Sequence, residues 1–130
     1  MKRTEDDLNQ ISGSVIGCAI EVHRVLGPGL LESAYQQCMM WELRNAGLSC
    51  KDQVTIPLKY KDLVVANAYR VDLLVEDEIV VELKSVEKLE PIHGAQLLTY
   101  LRLNGLRLGL LLNFNVDVMR KGVKRVVNGF

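Results

Sequence analysis

The chemistry-bearing residues of this chain concentrate in YRVDLLVEDEIVVELKS, residues 69–85. Side chains alternate between faces along a strand, so Val71, Leu73 and Val75 are expected on one face and Arg70, Asp72 and Leu74 on the other. On the segment after it, Ile79, Val81 and Leu83 share one face, and Val80, Glu82 and Lys84 share the opposite one. If the two strands pair as a hairpin, Asp72 and Glu82 converge with Lys84 beside them. Burying an unpaired carboxylate costs several kcal/mol, and two together repel or share a proton unless a cation compensates. Mg²⁺ suits the gap, with Mn²⁺ as its substitute, because it takes hard oxygen ligands and usually only one or two carboxylates. Asp72, Glu82 and the main-chain carbonyl of Leu83 supply such a set. Lys84 is then placed to orient or deprotonate an attacking water and to stabilise charge on a phosphate.

A plainer account stands beside this one. The E-x-K spacing arises readily by accident in a chain rich in both residues, and an exposed Glu82–Lys84 ion pair on a solvated sheet face would look the same. Other residues are candidates to flank the same pocket. His93, Gln96 and Tyr100, at i, i+3 and i+7, share one face of a helix. An amide and a phenol can bind phosphate or hold a water; equally, Tyr100 can cover a core edge and Gln96 face solvent. Glu32 and Tyr35 lie one turn apart after Gly27-Pro28-Gly29-Leu30, and Glu32 is either a favourable charge at a helix N-terminus or a third acid for the site.

The elements that must position these groups can be read from periodicity. Thr4 caps a helix with apolar residues at Leu8, Ile11, Val15, Ala19, Val22 and Leu26, ended by Gly27-Pro28-Gly29. A second helix starts around Leu31 and stops at Gly47. The period then changes to two at Val54, Ile56, Leu58 and Tyr60, with a turn at Lys61-Asp62. Strands at Val64–Val75 and Ile79–Lys84 complete a three-strand antiparallel meander. Pro91 opens a third helix that ends near Asn104-Gly105. This crossover leads to a buried strand, Leu108–Phe114, parallel to the strand before it, and a last strand follows at Val123–Val127. The expectation is one α/β (α+β) domain spanning residues 1–130, with an N-terminal helical pair.

Composition narrows the partners. Sixteen basic residues balance sixteen acidic ones, so the chain has no global field for nucleic acid and any phosphate contact must be local. Cys18, Cys38 and Cys50 fit neither a disulfide framework nor a thiolate zinc site, and buried thiols are expected. No apolar run reaches membrane-spanning length and the N-terminus turns polar at once, so a cytoplasmic protein with no membrane partner is expected.

The segment GPGLLESAY, with Gly29, Glu32 and Tyr35 in the motif positions, resembles the GxxExxY protein family, and VDLLVEDEIVVELKSVEKLEPIHGAQLLTYL resembles that family's nuclease half. The likeness runs from about Ile16 to Val127. The family is grouped with the PD-(D/E)XK nucleases. The resemblance therefore implies a restriction-endonuclease-like α-β-β-β-α-β core and metal-dependent cleavage of phosphodiester bonds. Carried across, Asp72 matches the motif aspartate, Glu82 and Lys84 the E-x-K, Glu32 the acid from the preceding helix, and Gln96 and Tyr100 the Q-x-x-x-Y element. Val71 stands where the name-giving proline would be; that proline is not a ligand.

Three readings follow. The first is a Mg²⁺- or Mn²⁺-dependent nuclease acting on nucleic acid, with DNA ranked ahead of RNA. In it Asp72, Glu82 and Leu83 hold metal; Lys84, Glu32, Gln96 and Tyr100 act on the reacting groups; and Arg70, Lys88 and His93 contact substrate. Its neutral charge suggests a homodimer or an accessory protein to complete the clamp. The second is a non-catalytic nucleic-acid-binding or protein-docking module on the same fold. The third is a structural oligomer with Trp41 or Met40 at an interface.

Overall fold

The computed structural model describes residues 3–130. Residues 1 and 2, included in the single-domain expectation, lie outside the described residues. Helix α1, Glu5–Leu26, opens with a reciprocal cap in which Thr4 Oγ1 accepts the Asp7 N–H and the Asp7 carboxylate accepts the Thr4 N–H. Its buried stripe includes Leu8, Val15, Cys18, Ala19 and Val22; Leu26, expected on that stripe, is exposed at its end. Helix α2, Glu32–Asn45, buries Tyr35, Met39 and Leu43.

The remaining elements are β1 (Cys50–Tyr60), β2 (Leu63–Val75), β3 (Ile79–Lys84), α3 (Pro91–Asn104), β4 (Leu108–Asn113), a short 3₁₀ turn (Met119–Gly122) and β5 (Val123–Val127). The sheet runs β1-β2-β3-β4-β5, with β3 and β4 parallel and every other pair antiparallel. The meander, the α3 crossover and the parallel strand are as expected. The first strand begins at Cys50, ahead of the alternating run from Val54, because its first residues pair with the end of β2.

Both sheet faces are covered, which explains why β3 and β4 are almost uniformly apolar. On one side α1 and α2 pack on Leu73, Val75, Ile79, Val81, Leu83, Leu110 and Phe114. On the other, α3 brings Leu97 and Leu101 against Ile56, Val71, Val80 and Leu111. Val71 and Leu73 therefore lie in different cores, which corrects the expectation that Val71, Leu73 and Val75 share a face. The change of face falls at Asp72. Opposite it on β1, between the pairs Asp52–Leu73 and Val54–Val71, Gln53 takes a left-handed backbone with φ of 49°. Such a φ is unusual for a residue with a side chain and breaks the simple alternation.

The ladder between β2 and β3 is short, pairing only Leu73–Val81, Leu74–Val80 and Val75–Ile79. Beyond Leu73 the two strands fork. The β1–β2 pair continues as a two-stranded ribbon to Tyr60–Leu63, where Tyr60, Leu63 and Val64 are exposed. Of the cysteines, Cys18 is buried, whereas Cys38 and Cys50 are only half-buried; all three are free thiols.

Candidate metal centre

The fork between β2 and β3 is where the acids meet. Asp72 would be the next residue opposite Glu82, yet at that step side chains replace ladder bonds. The Asp72 Oδ2 accepts the Leu83 N–H at 2.8 Å, and Glu82 Oε1 lies 3.4 Å from the Asp72 nitrogen. Each acid thus satisfies the other strand's main chain where the strands have parted. Asp72 is half-buried and Glu82 is 8% exposed, on the sheet face that α3 covers. Burial, followed by the charge of Asp72 and a side-chain hydrogen bond with it, pushes the Glu82 carboxyl up to about 8; Lys84 offsets only part of this.

Buried Glu82 and half-buried Asp72, with Lys84 compensating only in part, form a pair of carboxyls whose mutual repulsion a cation would relieve. The donor chemistry fits Mg²⁺ or Mn²⁺, with Asp72, Glu82 and the Leu83 carbonyl as the candidate ligands. Among the described residues, no three His, Cys, Asp or Glu side chains gather closely enough to hold a metal ion by themselves.

Tyr100, on α3, lies close enough to this pair for its phenol to feel both charges. Its ring meets Tyr69 edge to face, with centroids 3.8 Å apart and planes at 75°. Burial, then the charges of Glu82, Tyr69 and Asp72, pushes the Tyr100 phenol up to about 12, which favours the protonated form. Gln96, one turn earlier, is exposed. His93 is engaged in capping its own helix, its Nδ1 accepting the Glu90 N–H at 3.0 Å in a reciprocal cap at the start of α3. With Lys88, Val86, Glu87 and Glu90 it lines an open cleft of about 600 Å³. Arg70 is exposed on β2, opposite Thr55 of β1.

Glu32 is exposed as the first residue of α2, and the loop before it is tied to the end of β3. The Ser85 hydroxyl donates to the Leu30 carbonyl at 2.9 Å. Asn113 clamps the same stretch from β4, its Oδ1 accepting the Val86 N–H at 3.1 Å and its Nδ2 donating to the Val86 carbonyl at 2.9 Å. Phe114 N–H donates to the Lys84 carbonyl at 3.0 Å.

Sequence reasoning did not single out Tyr69, Ser85 or Asn113. The signal for Asn113 was present, since it is the one polar side chain ending the apolar run LGLLLN. Tyr69 was hidden by the change of face at Asp72, and Ser85 had no local signature.

A family profile for the PD-(D/E)XK nuclease superfamily matches residues 9–126. Among solved structures, the crystal structure of SSO0001 shares the fold with a TM-score of 0.50 at 18% identity, covering 92% of this chain. The chain spans 66% of the length of that structure. No curated protein matches the sequence.

Proposed function

Because the chain belongs to the PD-(D/E)XK nuclease superfamily, we propose that it is a divalent-metal-dependent nuclease hydrolysing phosphodiester bonds in nucleic acid, DNA before RNA. The observation that carries this reading is the meeting of Asp72 and Glu82 at the strand fork, with Lys84 two residues beyond Glu82 on β3. Gly29, Glu32 and Tyr35 support its placement in the GxxExxY group. Residues 1–130 are read as one nuclease-like domain acting in the cytoplasm, with a homodimer or accessory protein completing the substrate clamp. Among the described residues no helix is long and apolar enough to cross a membrane.

In this reading Asp72, Glu82 and the Leu83 carbonyl hold Mg²⁺ or Mn²⁺. When bound, the ion neutralises charge growing on the phosphoryl group and makes water a stronger nucleophile. The chain's own groups do the rest. Lys84 orients the attacking water and stabilises the phosphate; Tyr100 donates its phenolic proton in a hydrogen bond to a phosphate oxygen. Gln96 extends the same helical edge towards substrate, and Glu32 approaches from α2 to accept the proton of the water. Arg70 on the ribbon, with Lys88 and His93 at the cleft beside α3, contacts the flanking backbone.

The test is incubation of mixed duplex DNA and RNA with Mg²⁺ or Mn²⁺. The wild type should cut, and Asp72→Ala and Lys84→Ala should not. One observation favours a second reading, a non-catalytic binding module: only two carboxylates converge among the described residues. Binding of nucleic acid with no cutting under either metal would select it.

A further inference from the structure

We propose that Tyr35 is a positioning residue that closes the loop leading into Glu32, a loop tied through Leu30 to Ser85 at the strand end carrying Lys84; the inference rests on the nuclease reading above. Tyr35 is fully buried, and its ring stacks on Phe114 with centroids 4.4 Å apart and planes at 10°. Its hydroxyl donates to the Gly27 carbonyl at 2.6 Å and accepts the Leu30 N–H at 3.2 Å. One phenol therefore closes the loop between α1 and α2 from inside. That loop turns through left-handed backbone at Gly27 and Gly29, with φ of 69° and 100°, conformations that side chains resist.

The closed loop is then fastened to the site from two directions. The Leu30 carbonyl accepts the Ser85 hydroxyl, one residue past Lys84, and the Phe114 beneath the Tyr35 ring bonds the Lys84 carbonyl through its N–H. Glu32 is two residues beyond Leu30, exposed at the first position of α2, and its N-cap, Leu31, has no side chain able to bond the helix end. Its direction is inherited from the loop. A G-x-x-E-x-x-Y spacing thus has a mechanical reason: the glycine permits the turn, the tyrosine locks it, and the acid between them is aimed by both.

The test uses Tyr35→Phe, which keeps the ring on Phe114 and removes only the hydroxyl, with Ser85→Ala as the second variant. Amide exchange at Leu30 should speed by about five- to tenfold in Tyr35→Phe. Mn²⁺ titrated into labelled wild-type protein should broaden the carboxyl signals of Asp72, Glu82 and Glu32; in both variants Glu32 should lose broadening while Asp72 and Glu82 keep it. Cleavage of duplex DNA should show kcat reduced on the order of 10- to 100-fold at nearly unchanged KM. Equal broadening of Glu32 in wild type and variants, or an unchanged kcat, overturns the inference and leaves the nuclease reading standing. Absence of broadening at Asp72 and Glu82 in the wild type overturns the metal site, and this inference with it.

Discussion

The carboxylate of Asp72 takes the main-chain N–H of Leu83 at 2.8 Å, at the step where the β2–β3 ladder gives out. The same side chain is thus a structural acceptor and the charge that weighs most on Glu82. These two duties separate on mutation. Asp72→Asn keeps an acceptor and removes the repulsion, so its thermal midpoint should equal or exceed that of the metal-free wild type. Asp72→Ala leaves the Leu83 N–H without a partner and should be about 1–3 kcal/mol less stable than Asp72→Asn in urea unfolding. Both should lose metal-dependent cleavage.

The Glu82 carboxyl sets a pH dependence whose sign is fixed by its displacement. It titrates near 4.5 when unfolded and is pushed up to about 8 when folded. Between those values the native protein carries a proton that the unfolded chain has released. Stability in EDTA should therefore fall as pH rises through this window, by up to about 1.4 kcal/mol per unit, and level off above it. Urea denaturation at a series of pH values checks this; Glu82→Gln should flatten the curve. Mg²⁺ should restore stability most at the alkaline end, where the carboxylate it binds is otherwise most costly.

Tyr100 offers a spectroscopic check on the same electrostatics. One tyrosine should ionise near 12 in an ultraviolet titration, and Tyr100→Phe should abolish that component. Glu82→Gln should lower it only in part, since burial is the larger cause of its shift. As the phenol stays protonated, Tyr100→Phe should reduce cleavage by a similar factor at pH 7 and pH 9.

Packing between the sheet and α3 should be felt at the site. A Cβ added at Gly109 would lie 2.8 Å from Leu97 Cδ1 and 3.0 Å from Leu97 Cγ, and Leu97 is fully buried. Gly109→Ala should cost about 1–3 kcal/mol in urea unfolding and weaken cleavage by shifting the helix that carries Tyr100. Adding Leu97→Ala should recover activity more than stability, because it clears the clash but leaves less apolar contact.

Much of this was legible because the relevant signals are local. Thr4, Gly27, Gly47 and Pro91 mark helix ends, and the all-apolar LGLLLN reports a strand covered on both faces. Asp72 and Glu82 could be picked out as carboxylates in strands otherwise bound for burial. What periodicity could not supply was the left-handed turn at Gln53 and the change of face at Asp72, since a two-residue repeat assumes an unbroken strand. Nor could helical spacing show that His93 is spent on capping α3 while Tyr100, on the same face, feels the charges of the acids. Those outcomes depend on bonds to residues of other elements or to a helix cap, which no single period encodes.

Val71 and Leu73, the two neighbours of Asp72, answer to different hydrophobic cores. A carboxylate suspended between two independently packed masses has its aim adjusted from either side, like a hinge pin held by both leaves. Conservative trimming at either neighbour, Val71→Ala or Leu73→Ala, should therefore blunt activity while every charged group remains in the chain. Impairment of this protein need not originate at an acidic position.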